Sequence, residues 1–176
     1  DWSSDVCSSD LKKLDESYIN RIMRFQDEIV EGLENKELYF PSKEEEFLQF
    51  ISNKGNIIGC VTEDDDLIAI GVYCKLGYDE DNYGYDIGIN GEELLKVGQI
   101  ESTLVKESFR GNKLQKIICE LLEDIAKENG TLIMSATASP YNPYSVNTFL
   151  DLGYEIAKDK IKYGGLRRYV LVKRFS

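Results

Sequence analysis

One segment restricts the fold more than any other. Val97–Val105 alternates as a strand, and residues 112–129 then carry the period of a helix, with only a short turn holding Gly111 between them. Strict alternation places Glu101, Thr103 and Val105 on one strand face. The helix has a core face of Leu114, Ile117, Ile118, Leu121, Leu122 and Ile125, and Gly130 ends it. A strand that turns directly into an amphipathic helix belongs to a mixed α/β domain, where the helix covers the sheet. The turn also has a chemical consequence. The first N–H groups of a helix are unpaired and carry the positive end of its dipole, so they attract phosphate.

The flanking sequence repeats these elements. Leu14, Tyr18, Ile22, Phe25, Ile29 and Leu33 recur every three or four positions and predict a long amphipathic helix starting at Leu11. Ser42 with Glu45 forms a capping box for a second helix running to about Ile51. Strands follow at 57–62 and 67–75 around an acidic turn, then a Gly-, Asp- and Tyr-rich loop at 76–96 with a short helix near 92–96. A loop this long in a small domain points to function. After the strand–turn–helix segment come a strand at 131–138 and a helix opened by Asn142-Pro143 and closed by Gly153. Two last strands, 154–162 and 166–175, are joined through Gly164-Gly165. No linker or internal repeat interrupts the series, which predicts one mixed α/β domain over residues 11–176. Residues 1–10 repeat Ser-Ser-Asp without a hydrophobic period and read as a foreign tail, so Trp2 and Cys7 stay out of the fold argument.

Composition excludes several chemistries. Histidine is absent, which removes Ser-His and Cys-His nucleophile pairs and argues against zinc. The four cysteines are scattered without a CxxC pair, and no basic-then-apolar leader is evident. Both features favour free thiols and a cytoplasmic protein. No apolar run is long enough for a bilayer. A net charge of −11 argues against nucleic acid. Within that acidic chain, Lys106, Arg110, Lys113 and Lys116 face the single acid Glu107. A basic turn on an acidic protein suits a small phosphorylated ligand.

The stretch Val105-Lys-Glu-Ser-Phe-Arg110-Gly-Asn-Lys113-Leu-Gln115 resembles the pyrophosphate loop of the GNAT superfamily of acyl-CoA-dependent N-acetyltransferases, Gln/Arg-x-x-Gly-x-Gly/Ala after a strand and before a helix. Asn142, Ser145 and Phe149-Leu-Asp-Leu-Gly-Tyr154 resemble a second feature of that family, in the same order along the chain. The likeness extends over residues 11–176. It implies a central, mostly antiparallel sheet flanked by about four helices, with a splay between the strands at 97–105 and 131–138. It implies acetyl-CoA as co-substrate, held by Arg110, Gly111, Asn112, Lys113, Leu114 and Gln115 in the loop and by Asn142, Ser145 and Phe149 beyond it. Backbone N–H groups of Leu104 and Val105 would face the developing oxyanion. Three positions depart from the family pattern. Lys113 and Gln115 replace small residues, with Lys113 either crowding a diphosphate or binding it. Phe149 stands where many relatives carry a tyrosine acid, leaving that role vacant or moved to Tyr141 or Tyr144, of which Tyr144 is the candidate.

Glu101 is the one charge in an otherwise apolar and hydroxyl-bearing strand. Near a thioester it would serve as the base for an amine, the alternative being a solvent-exposed strand face. Tyr78, Tyr83 and Tyr85 could line an amine pocket, and Asp79, Glu80, Asp81 and Asp86 in the same loop favour a cationic small molecule as acceptor. A homodimer is compatible with this reading. A non-catalytic acyl-CoA-binding or sensor module on the same fold is the competing reading, favoured by the altered loop and the missing tyrosine. A nucleotide-binding enzyme lacks both a Walker lysine motif and GxGxxG.

Overall fold

The computed structural model describes residues 10–111 and 113–175. Its strands are β1 (Leu11–Lys13), β2 (Gly55–Val61), β3 (Leu67–Cys74), β4 (Val97–Val105), β5 (Ile133–Ala138), β6 (Glu155–Lys162) and β7 (Leu166–Arg174). Its α-helices are α1 (Ile19–Gly32), α2 (Glu44–Gln49), α3 (Leu114–Glu128) and α4 (Pro143–Asp151). The strands form one seven-stranded sheet in the order β1-β2-β3-β4-β5-β7-β6. Every neighbouring pair is antiparallel except β4 and β5. The expected mixed α/β architecture, with a mostly antiparallel sheet and helices on both sides, is therefore the observed one.

Two helix starts differ from expectation. Leu11–Lys13 pairs with β2 instead of opening the first helix. Asp15 is the reason: its carboxylate accepts the Ser17 N–H at 2.9 Å and starts a 3₁₀ turn, so α1 proper begins at Ile19. Leu14 and Tyr18 still reach the core, which is why the apolar spacing looked continuous. At α2 the cap lies one residue later than Ser42. The Lys43 N–H donates to Glu46 Oε1 at 2.9 Å. Ser42 is instead clamped by Gln26, which accepts its N–H and donates to its C=O, both at 2.9 Å.

One sheet face carries α3 and α4, with Ile100, Val105, Ile118, Leu122, Met134 and Phe149 in a common core. The contact is close. A Cβ on Gly71 of β3 would meet Ile118 Cγ2 at 2.2 Å, so α3 can lie on the sheet there only over glycine. The other face carries α1 and α2 through Ile22, Phe25, Phe47, Ile70 and Leu104. Residues 76–96 extend this cover as two 3₁₀ stretches, Tyr83–Ile87 and Gly91–Lys96, with Ile89 and Leu94 packed on Val97 and Ile133.

Two irregularities of β4 shape the site. Its register with β3 shifts between Val72 and Tyr73, which face Ser102 and Ile100, so Glu101 is the extra residue of a β-bulge. The bulge reverses the alternation. Gln99, Glu101 and Ser102 lie on the α1 side, whereas Thr103 and Val105 lie on the α3 side. Glu101 therefore does not share a face with Thr103 and Val105, contrary to the period-two reading. The second irregularity is a splay. Parallel pairing of β4 with β5 runs from Val97↔Ile133 only to Ile100↔Ala136.

Candidate active site

A cavity of about 910 Å³ opens where β4 and β5 part. Residues 101–105 form one wall, Thr137, Ala138 and Ser139 the other, and Arg110, Gly111 and Gln115 lie at the turn end. Lys106 N–H donates to Ile68 C=O on β3 at 2.8 Å. By the alternation of an antiparallel ladder, the Leu104 N–H also turns to β3, paired opposite Ile70, whereas Thr103 and Val105 turn their backbone groups toward the splay. Of the two N–H groups expected at an oxyanion, only that of Val105 faces the cavity. The C=O of Val105 accepts from Arg110 Nε at 3.2 Å, so the turn is anchored to the strand end.

The turn itself needs left-handed backbone at two positions, Gly111 with φ 88° and Lys113 with φ 60°. Glycine adopts this freely; lysine does so under strain. Lys113 is exposed and immediately precedes α3, while Asn112 lies outside the described residues. Leu114 is buried in the core, leaving only its backbone for a ligand at the turn. Gln115 is also buried, and its amide donates to Thr103 Oγ1 at 2.9 Å and to Ser145 Oγ at 3.2 Å. Ser145 N–H in turn donates to the Asn142 side chain at 3.2 Å, the cap of α4. Three elements thus meet: Gln115 stitches β4, α3 and α4 together at the turn end of the cavity. Phe149 does not join them. Its ring is buried edge-on to Tyr154, with centroids 5.3 Å apart, on the core side of α4. Tyr144 lines the cavity and is half exposed, whereas Tyr141 faces outward toward Arg167.

Glu101 belongs to the β4 wall but lies on its α1 side. Its Oε2 accepts from Gln99 Nε2 at 2.8 Å, with the Cys74 thiol 3.9 Å away. Burial is the largest influence on its carboxyl and raises the pKa above the ordinary glutamate value; hydrogen bonds from Gln99 and Tyr83 pull the other way, and the charges of Glu46 and Asp81 push it further up. Tyr83 OH is 2.7 Å from Tyr163 OH, which is 3.0 Å from Thr137 Oγ1, so hydroxyls span from the 76–96 segment to β5. Burial pushes Tyr163 up to about 12. Its ring stacks on Phe40 at 4.8 Å and 10°, joining the β6–β7 turn to the segment before α2. Tyr39 donates to Gln26 Oε1 at 2.6 Å and lies 3.3 Å from Ser102 Oγ.

The acidic loop is less anionic than its composition suggests. Asp86 is held between Lys160 and Lys162 at 2.6 and 2.5 Å. Asp79 faces Lys54 at 3.9 Å, and only Glu80, Asp81 and Asp86 of that loop's acids line the cavity. Tyr78 and Tyr85 remain exposed; of the three loop tyrosines only Tyr83 lines it.

Gln26, Tyr39, Ser102, Tyr163 and Arg168 escaped the sequence reading. A weak signal existed for two of them. Gln26 interrupts the apolar face made by Ile22, Phe25 and Ile29, and Arg168 occupies an inward slot between Leu166 and Val170. Among the described residues no group of histidine, cysteine or carboxylate side chains could hold a metal, and no helix is long and apolar enough to cross a membrane.

The sequence model of the acetyltransferase (GNAT) family matches residues 17–154. No curated protein matches the sequence. Similar solved structures include a GNAT-family acetyltransferase from Streptococcus pneumoniae, with TM-score 0.71, 13% identity and coverage of 94% of this chain and 98% of that one. The ribosomal-protein-S18-alanine N-acetyltransferase of Escherichia coli gives TM-score 0.68 at 12% identity, covering 94% and 93%. The yncA protein of Salmonella typhimurium, solved with its cofactor acetyl-CoA, gives 0.68 at 13% identity, covering 94% and 93%.

Proposed function

Because the chain belongs to the acetyltransferase (GNAT) family, we propose that it moves an acetyl group from acetyl-CoA to the amine of a small molecule. The observation that carries this reading is the end of β4–β5 pairing at Ile100↔Ala136, which leaves the Val105 N–H facing a cavity beside the start of α3. The residues fit such a ligand. Positive φ at Gly111 and Lys113 opens the turn before a 15-residue helix, and its N-terminus with Arg110 and Lys113 favours diphosphate. Leu104 contributes its side chain to the opposite core and not its N–H.

Bound acetyl-CoA would supply a thioester open to attack by a neutral amine. The Val105 N–H offers a donor where charge builds on a carbonyl oxygen. Glu101, with its raised pKa, accepts the amine's proton directly or through one water. Tyr144, at the start of α4 and lining the cavity, would donate its phenolic proton to a leaving thiolate and regain one from solvent, while Glu101 gives up the amine's proton to water. The acceptor's ammonium form is drawn toward Glu101, Asp81 and Glu80. The chemistry is direct. Cys74, the nearest thiol to Glu101, is buried with its pKa pushed well up by burial and by the Glu101 charge, which disfavours an acyl-cysteine route.

A non-catalytic acyl-CoA-binding module has two observations in its favour: Phe149 lies in the core, and Lys113 before α3 and Gln115 in its first turn stand where small residues are usual. An amine panel with acetyl-CoA, read by thiol release and by mass spectrometry of the acetylated amine, separates the two. Turnover with any amine supports transfer. Tight acetyl-CoA binding with no turnover across the panel supports the binding module.

A further inference from the structure

Arg168 is the residue that the proposed chemistry leaves unexplained. It is 3% exposed, yet it lines the cavity. Its guanidinium donates to two main-chain carbonyls, Arg167 C=O at 2.8 Å through Nη1 and Glu37 C=O at 2.6 Å through Nη2. The Tyr163 ring lies 5.8 Å from its central carbon. Among the described residues no carboxylate is within ion-pair distance of it. Its neighbours differ. Arg167 is paired with Asp159 at 2.7 Å, and Lys160 and Lys162 share Asp86. The acid Glu37 acts on Arg168 only from beyond ion-pair distance, and a buried guanidinium without a direct ion-pair partner is costly, since buried charges are normally paired. Its planar fork suits a carboxylate in two-point contact.

The location favours a ligand group over a structural one. Arg168 lies on β7 opposite Lys160 of β6, on the same sheet face as Thr137 and Glu101. Tyr163 stands between the two charges: Glu101 pushes its phenol up and Arg168 pulls it down. Glu101, Tyr163 and Arg168 all line the cavity, which therefore holds a carboxylate and a guanidinium around one phenol. The phosphate-attracting turn of Arg110, Gly111 and Lys113 lies elsewhere, beyond Val105.

We infer that Arg168 binds a carboxylate carried by the acceptor, so that the acceptor is an amino-acid-like molecule whose amine faces Glu101 and whose carboxylate faces Arg168. For the amine this rests on the acetyl-transfer reading above; for the carboxylate it rests on Arg168 alone.

The test uses matched ligands that differ by one carboxylate: lysine with cadaverine, phenylalanine with phenethylamine, tyrosine with tyramine, β-alanine with ethylamine. Each is titrated calorimetrically into the full chain saturated with CoA, and into Arg168→Gln and Arg168→Lys. At least one carboxylate-bearing member is expected to bind roughly a hundredfold more tightly than its partner, because a site built around a buried polar group rejects the analogue lacking it. Arg168→Gln should reduce that ratio to within about threefold, and Arg168→Lys should keep part of it. Acetyl-CoA affinity should stay within about twofold in both variants. If Arg168→Gln does not fold, the methyl ester of the preferred ligand tests the same contact on the parent protein and should bind as poorly as the decarboxylated amine. Equal binding across every pair, a preference that survives Arg168→Gln, an ester that binds as well as the acid, or a loss confined to acetyl-CoA overturns the assignment. Thiol release from acetyl-CoA, measured in a parallel reaction without added CoA, separates the two claims. Carboxylate-dependent binding without release refutes acetyl transfer and keeps the Arg168 site; release indifferent to the carboxylate does the reverse.

Discussion

Gln99 and Glu101 meet on one face of β4, Gln99 Nε2 donating to Glu101 Oε2 at 2.8 Å, and the bulge at Glu101 turns Ser102 to that same face. The carboxylate is thereby fixed at the wall of the cavity while Val105 remains on the splayed side. This arrangement gives Glu101 two separable properties, one in stability and one in turnover.

Its stability effect has a definite sign. The folded-state pKa of Glu101 is raised above the ordinary 4.5, chiefly by burial. The folded protein therefore holds this proton more tightly than the unfolded chain, and the ionised form costs stability at pH above the raised value. Glu101→Gln should melt at a higher temperature than the parent at pH 7. The difference should shrink as pH falls toward 4.5, where the cost disappears. Melting curves across this pH range check it; a Gln variant less stable at pH 7 contradicts the burial argument.

In turnover the same substitution removes the proposed base. Glu101→Gln should lower kcat by roughly two to four orders of magnitude. Acetyl-CoA affinity should be unchanged, because Arg110, Gly111 and Lys113 are untouched. Steady-state kinetics with a separate binding titration distinguish this from a loss of cofactor binding.

Lys113 combines strain with charge. Its φ of 60° is a glycine-like conformation at the entry to α3. Lys113→Gly should stabilise the fold by about 1 kcal/mol through relief of that strain. It should weaken acetyl-CoA binding if the ammonium neutralises diphosphate, and Lys113→Glu should weaken it further. Denaturant titration and calorimetry on the three proteins report the two effects independently; equal acetyl-CoA affinity in all three places the ammonium in solvent.

Gln115 is a tie at the turn end of the cavity, bonded to Thr103 and Ser145. Gln115→Ala should cost about 1–3 kcal/mol, since it leaves two partly buried hydroxyls without their donor and opens space beneath α4. Urea unfolding measures it, and a change below a few tenths of a kcal/mol would show that water replaces the amide without loss.

The parts of this site carried by local pattern were legible in the sequence, and those created by tertiary contact were not. Val97–Val105, the Gly111 turn and the core face of α3 announce themselves because each periodicity spans many residues. The bulge at Glu101 did not, because one extra residue is visible only against its partner strand; strict alternation placed Glu101 with Thr103 and Val105, on the wrong face. Leu11–Lys13 fitted a helical spacing equally well until Asp15 capped a new start. Arg168 and Glu37 are bonded although 131 residues separate them, and Tyr39 reaches Ser102 across 63. No window of sequence contains either pair.

The most direct test of the central claim is mass spectrometry of a reaction holding the protein, acetyl-CoA and an amino-acid and amine panel, with free CoA quantified in the same sample. The account predicts an acetylated amine and free CoA formed in equal amounts, both abolished or reduced at least a hundredfold by Glu101→Gln. Acetyl-CoA that binds tightly but yields neither product with any acceptor, or a Glu101→Gln protein that turns over as fast as the parent with the same pH profile, contradicts it.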